Sequence, residues 1–411
     1  MTISRKIQRF VLPSGMTVLF EPMTDVQTVS LDGWIKAGSA HEQRGEAGVA
    51  HFLEHMLFTA SNQKSNVELL EAMQQVGGYA NAFTTYDHTG FECVVPAKYG
   101  QKVFEWFEEI VLEPVFDEKQ IEREKKVILS EFLDDQDQLD IVFEERFWKE
   151  VYGTTSFGRP ILGLYEDIQN ISKQSVTSFY EKFYHPKNMV ISIAGNVEKD
   201  HVSKFLQKIG KLSSKYIASE TPKLQFESKN FVWSKGQHQR KIVVLFPITH
   251  ASHEDVAALE VFNLCLGGAD YSFLYEKYRT KKNYVSHISS HLFTNALGGH
   301  MSIEASVYKD NIDIMLQELT KLSDSALTEI VTEDRFECAV SDIEKEKLFS
   351  MDTTWGRSKI NLYFEATYEN VHEQNAYYEK IKNITKKEVV QVAQKYFQGY
   401  FSIGLWKEED A

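Results

Sequence analysis

The chain has 411 residues, which is too long for one ordinary hydrophobic core and calls for about two to four domains. Its 43% hydrophobic and 25% charged residues are ordinary globular values and argue against wholesale disorder. The net charge of -14 argues against a nucleic-acid partner, which would want a basic face; it is compatible with basic peptide substrates but reads first as a soluble surface.

The first residues, Met1-Thr2-Ile3-Ser4-Arg5-Lys6, lack the apolar run of a secretory leader, and no stretch is long and apolar enough to span a bilayer. The expectation is a cytoplasmic protein without a membrane span. Residues 10–19 read as a hairpin turning at Pro13-Ser14-Gly15, and residues 28–37 as a strand. Residues 46–60 and 66–76 read as helices, the second closed by Gly77-Gly78. Residues 89–95 form a strand pattern, 117–133 a charge-rich amphipathic helix, 170–184 a helix stopped before Pro186, and 189–194 a buried strand. Strands meeting as hairpins, mixed with long helices, predict an α+β sandwich with an antiparallel-rich sheet. Cys93, Cys265 and Cys338 are scattered and odd in number, and they read as reduced core residues.

An internal repeat is present. Glu166-Asp167-Ile168-Gln169-Asn170-Ile171-Ser172-Lys173 resembles Glu379-Lys380-Ile381-Lys382-Asn383-Ile384-Thr385-Lys386, 213 positions later. Each copy leads into an amphipathic helix and an apolar strand, residues 189–194 in one case and 400–405 in the other. A repeat of half the chain implies two copies of one α/β sandwich domain. The expected layout is a domain over 1–212, a polar linker over 213–229 and a second domain over 230–411.

Chemistry concentrates in Gly48-Val49-Ala50-His51-Phe52-Leu53-Glu54-His55-Met56-Leu57-Phe58. On a helix, His51 and His55 are one turn apart on one face, so two ring nitrogens can meet one ion. Glu54 lies close to that face and can reach a water on the ion without ligating the ion. Phe52, Leu53, Met56 and Leu57 would pack into a core and fix the site. The order H-x-x-E-H reverses the better-known H-E-x-x-H with the same division of labour. Zinc would need a third protein ligand and an open fourth position. The helix at 117–133 offers Glu124 and Glu131, two turns apart, with Val127, Ile128 and Leu129 burying it. Periodicity does not choose between the two carboxylates.

The sequence resembles the pitrilysin and mitochondrial-processing-peptidase family of inverted zincins, in its small bacterial branch of two-domain subunits. The resemblance runs along almost the whole chain. It includes Leu12-Pro13-Ser14-Gly15-Met16-Thr17-Val18, Gly38-Ser39-Ala40-His41-Glu42, the His51 to His55 segment and Asn81-Ala82-Phe83-Thr84. It continues through Val127-Ile128-Leu129-Ser130-Glu131, Gly158-Arg159-Pro160-Ile161-Leu162-Gly163 and Asn188-Met189 to Gly195-Asn196. It implies that Glu131 is the third ligand of one Zn2+ per chain, that Glu54 is the catalytic base and that Glu124 is a helper carboxylate. It also implies two duplicated domains forming half of a clamshell chamber, with only the first keeping the metal helix. Shifted by 213 positions, that helix falls on Leu264-Cys265-Leu266-Gly267-Gly268, which holds no ligand set. The peptide substrate would add as a strand along Asn81, Ala82 and Phe83.

In the family, an Arg and a Tyr seven positions apart in the second half of a subunit reach the substrate. Arg279 is present here, but the Tyr position falls on Ser286, with Tyr284 two residues away on what would be the same face of a strand. The expected partner is therefore a homologous subunit that supplies the pair in a heterodimer, with a homodimer as the alternative. A non-catalytic scaffold subunit is the rival reading. Asp87 and His88 read as a turn before Thr89-Gly90, and the acidic run at 134–140 as a solvated helix end without the glycine of a calcium loop.

Overall fold

The computed structural model describes residues 6–59, 66–213, 222, 224–235, 240–322, 327–397 and 401–407. The first five residues read for a leader, Ala60 of the expected metal helix, Tyr400 of the expected last strand, 214–221 with 223 of the linker, and 61–65, 236–239, 323–326, 398–399 and 408–411 of the two expected domains lie outside these residues. No described helix is long and apolar enough to cross a membrane.

The chain forms two compact units, and neither is a single run of sequence. The first takes Met1–Gln138, Arg159–Pro222 and Leu348–Gln374; the second takes Leu139–Gly158, Lys223–Lys347 and Asn375–Ala411.

In the first unit, strands β1 (Gln8–Val11), β2 (Thr17–Pro22), β3 (Thr28–Ile35), β4 (Tyr79–Thr84), β5 (Thr89–Pro96) and β6 (Met189–Gly195) form one sheet in the order β1-β2-β6-β3-β5-β4. β2 and β6 are parallel, and the remaining pairs are antiparallel. Helices α1 (Val49–Leu57), α2 (Asn66–Gln75), α3 (Lys102–Phe107), α4 (Glu118–Gln136), α6 (Tyr165–Asn170), α7 (Lys173–Phe183) and α8 (Lys199–Ile209) belong to the same unit. The period-two pattern of β3 sends Val29, Leu31 and Ile35 into the core, where they join Phe52, Leu53 and Met56 of α1 and Phe107 of α3.

The opposite side of this sheet mixes Leu19, Trp34 and Val190 with polar groups. It presents Glu21, Ser30, Asp32, Glu92 and Ser192, all buried. Helix α13 (Thr354–Tyr368) covers it and pairs with several of these residues. Arg357 Nη1 and Asn361 Nδ2 donate to the Glu21 carboxylate at 2.7 and 2.8 Å. Ser358 Oγ donates to the Ser192 carbonyl at 2.9 Å, and Lys359 pairs with Glu92 at 2.6 Å. Ser30 Oγ donates to Asp32 at 2.6 Å, while burial pushes the Asp32 carboxyl up to about 7. Buried ion pairs contribute little net stability compared with apolar packing, but a broken one leaves an uncompensated charge. The arrangement therefore selects α13 as the helix that fits here.

In the second unit, β7 (Asn230–Ser234), β8 (Lys241–Ile248), β9 (Val285–Asn295), β10 (Gly298–Val307) and β11 (Ser402–Lys407) form a sheet in the order β7-β11-β8-β10-β9. This repeats β2-β6-β3-β5-β4 strand for strand, with the same parallel pair. Thr17 stands opposite Val190 and Asn230 opposite Ile403, one pairing displaced by 213 positions. The unit's helices are α5 (Leu139–Tyr152), α9 (Val256–Asn263), α10 (Ile312–Thr320), α11 (Leu327–Ile330), most of α12 (Glu333–Met351), most of α14 (Glu373–Asn383) and α15 (Lys386–Phe397). Here the outer side of the sheet is aromatic: Phe143 of α5 lies 5.9 Å from Trp406 and 6.2 Å from Trp233. Cys93 and Cys265 are buried as expected, but Cys338 is exposed on α12. Only one side of that helix is covered, by Ala339 and Ile343, and Cys338 is off it.

Candidate metal centre

The helix carrying the histidines begins later than the sequence pattern suggests. Gly48 adopts φ +97°, and a Cβ there would meet the Leu162 carbonyl at 2.6 Å, so the chain turns sharply before α1. Gly48 has no side chain to cap the helix. The cap comes from Glu42, whose Oε1 accepts from Gly48 N at 3.1 Å and Ala50 N at 3.0 Å. Burial pushes the Glu42 carboxyl up to about 8 against the opposing pull of those N–H groups and Arg159. Phe52, Leu53, Met56 and Leu57 are fully buried, which fixes the rotation of α1.

Glu42→Ala is expected to strand two helix N–H groups and to lower stability by about 2 kcal/mol. Glu42→Gln keeps the accepting oxygen and should recover most of the loss. Urea unfolding of the three proteins checks this, and equal midpoints would remove Glu42 as the cap.

That rotation turns His51 and His55 to one side, with ring centroids 4.7 Å apart. Helix α4 crosses α1 and brings its carboxylates to the same place. Asp117 caps α4 by accepting from Lys119 N and Gln120 N, and Ile121 and Ile128 form its buried seam. Val127 does not help bury the helix: it is exposed, because that seam is one residue wide per two turns. Glu131 lies 3.8 Å from His55 Nε2, and Glu124 lies 3.7 Å from His55 Nδ1. One ligand atom each from His51, His55 and Glu131 lies within 4.8 Å of the others. Among the described residues this is the one group of its kind.

The side chains fit a divalent metal such as zinc. Two imidazoles and a carboxylate form a zinc donor set that leaves a fourth position open. His51 Nδ1 is buried without a hydrogen-bond partner, which an isolated imidazole would not favour. Burial, with the His55 charge, lowers the His51 pKa to about 3, so its ring is neutral and ready to ligate.

Glu54 points to the same side, and its Oε2 accepts from Thr84 Oγ1 of β4 at 2.7 Å. Burial raises its proton affinity, opposed by the Thr84 bond and by His55. Thr84 was visible in the sequence only as the end of Asn81-Ala82-Phe83-Thr84; no local pattern marks it as the residue that holds the carboxylate. Glu42 was equally silent, since it precedes the helix it caps by a loop.

Among the described residues β4 is an edge of the first sheet, paired with β5 alone. Ala82 is buried, Asn81 exposed and Phe83 half-buried. Phe83 covers Gly90, where a Cβ would stand 2.3 Å from the ring. Asp87 and His88 lie in the turn between β4 and β5, half-buried rather than on the open surface. His88 stacks on Trp34 at 3.8 Å and bonds Asp87 at 2.8 Å. The acidic run closes α4 and opens α5, largely exposed.

Arg279 belongs to the second unit, on the widened helical turn Tyr275–Lys281, with its guanidinium 4.9 Å from the Tyr275 ring. β9 starts at Val285, after Tyr284, and its register against β10 shifts so that Val285 faces Val307 and His287 faces Ser306. Ser286 is the extra residue of this bulge. The alternation that would place Tyr284 and Ser286 on one face is interrupted there. The segment equivalent to His51–His55 is the wide turn Leu264–Gly268, where Cys265 is buried.

Residues 17–164 match the family model of insulinase, peptidase family M16, and residues 170–341 match that of the peptidase M16 inactive domain. An uncharacterized zinc protease of Rickettsia felis is 26% identical over 387 residues, 94% of this chain and 94% of that protein. The uncharacterized zinc protease YmxG of Bacillus subtilis is 25% identical over 355 residues, covering 86% and 87%. Among solved structures, a protease from Helicobacter pylori superposes with a TM-score of 0.88 at 20% identity, over 98% of this chain and 99% of that one. An M16-like peptidase from Alicyclobacillus acidocaldarius gives 0.82 at 18% identity over the full length of both.

Proposed function

Because this chain belongs to peptidase family M16, we propose that it is the zinc-bearing subunit of an endopeptidase that hydrolyses unfolded peptides within a dimeric chamber. The observation that carries this reading is the convergence of His51, His55 and Glu131 beside the buried carboxylate of Glu54. The names of the relatives, zinc proteases, support the same chemistry.

His51, His55 and Glu131 would hold one zinc ion per chain, which when bound supplies Lewis acidity to the scissile carbonyl and to water. Glu54 takes a proton from the attacking water at its carboxylate and returns it to the leaving amine. Burial raises its affinity for the proton it must take and return. Thr84 fixes one Glu54 oxygen and leaves the other for the proton. Glu124 sits beside His55 Nδ1, where it balances charge and orients the ring. Residues Asn81, Ala82 and Phe83 offer the unpaired edge of β4 to the main chain of an extended peptide.

The partner in this reading is a homologous subunit carrying an Arg and Tyr pair, since here Arg279 is followed by Ser286 in a bulge rather than by tyrosine. The purified, zinc-loaded chain is expected to be silent toward a quenched library of unstructured peptides, and to become active with such a subunit. The Glu54→Gln chain serves as the blank. Cleavage by the chain alone, absent from the blank, would replace the heterodimer with a self-sufficient homodimer. A chain that takes up no zinc would instead favour a scaffold subunit.

A further inference from the structure

β4 obeys the alternation of any strand, and its two sides meet different surroundings. Ala80, Ala82 and Thr84 face the side of α1, where Thr84 reaches Glu54. Tyr79, Asn81 and Phe83 face the side covered by α13. There the Tyr79 ring lies 5.6 Å from the ring of Trp355, near the start of α13. Both rings remain open, 47% and 37% exposed. The neighbouring Lys359 adds no free charge, because its ammonium lies 4.1 Å over the Trp355 ring and pairs with Glu92 at 2.6 Å. The result is a partly exposed aromatic pair, with the ion-paired Lys359 over one ring, at one end of an edge that no described strand pairs.

A peptide added along β4 alternates in the same way. Side chains of one parity point to the metal side, and those of the other parity lie over the α13 side. Tyr79 is five residues from Thr84, about 17 Å along an extended strand. The peptide residue beside Tyr79 is therefore about four or five positions from the bond presented to Glu54.

We propose that Tyr79 and Trp355 form a remote subsite that takes an apolar, preferably aromatic, side chain of the bound peptide on the side of the sheet away from the metal. This rests on the peptidase reading for the placement of the cleaved bond, but not for the contact itself. Aromatic pairs bind aromatic side chains through large apolar area and edge or offset stacking, so the subsite discriminates by side-chain type and rejects carboxylates. It also makes peptides too short to span both places poor ligands.

The test uses the full chain carrying Glu54→Gln, so that peptide is bound and not consumed. Labelled extended peptides of about 14 residues, identical except for Phe or Asp at scanned positions, are titrated by fluorescence anisotropy. Phe at one position is expected to tighten binding about tenfold over Asp, and adding Trp355→Ala or Tyr79→Ala to remove that preference while leaving the Asp peptides unchanged. Trp355→Phe should restore it, which separates loss of the subsite from loss of the fold. A preference that survives both alanine variants, or no preference at any position, overturns the proposal. Cleavage by the wild-type assembly is followed separately by mass spectrometry. Binding preference without cleavage would retain the subsite and remove the peptidase reading.

Discussion

Glu54→Gln is expected to lower turnover in the active assembly by about a thousandfold while leaving zinc content unchanged. The amide oxygen can still accept from Thr84 Oγ1, so the 2.7 Å contact that positions the side chain survives. Glu54 is outside the three residues that converge as metal donors, so the variant leaves that donor set intact. What disappears is the ability to take a proton. The acid limb that Glu54 gives the wild-type profile should therefore be missing from the residual activity of the variant. Measured kcat, its pH profile and metal content by mass spectrometry decide the matter. A variant retaining a tenth or more of wild-type turnover would show that proton transfer is performed elsewhere.

His51→Ala has a different signature, since both zinc and activity are expected to go. A three-ligand site reduced to His55 and Glu131 loses the geometry that favours zinc, and affinity should fall by about three orders of magnitude or more. His51 is half-buried and neutral at physiological pH, with one buried ring nitrogen that finds no partner in the protein. Zinc added to the wild-type chain should raise its thermal midpoint by mass action, whereas the variant should show no shift at the same concentration. Equal shifts in both would place the metal elsewhere.

The sequence carried the fold as far as local periodicity reaches. The strand over 28–37 is observed as Thr28–Ile35 and the one over 189–194 as Met189–Gly195, because inward positions of each are apolar. The repeat at 213 positions is repeated in the strand order of the two sheets. Helix starts were less legible. The helix expected from 46 starts at Val49, because the backbone of Gly48 must pass close to Leu162, a constraint set by a segment over a hundred residues away. The helix expected from 170 starts at Lys173, because Ser172 and Ser175 cap one another after a break at Ile171. The reciprocal use of α5 and α13 has no local trace. Only the contrast between the Phe143 and Phe147 face and the Arg357, Ser358 and Asn361 face records which sheet each helix covers. At the site, two histidines and Glu54 announce themselves by spacing, whereas Glu42 and Thr84 act from a loop and from a strand and have no spacing to read.

The covering of the first sheet by α13 also sets an order of events during synthesis. The strands and both helices of the candidate metal site in the first unit are complete once residue 195 has been made, but the helix that covers the sheet's other side ends at Tyr368. At about 5 to 20 residues per second, that side waits on the order of ten seconds or more for its cover. A hydrophobic face left open that long would invite aggregation. This face instead interleaves Leu19, Trp34 and Val190 with Glu21, Ser30, Asp32, Glu92 and Ser192, which water solvates well. The nascent chain thus carries its unfinished sheet in a form that water tolerates, and the carboxylates that later grip α13 keep the sheet soluble until that helix arrives.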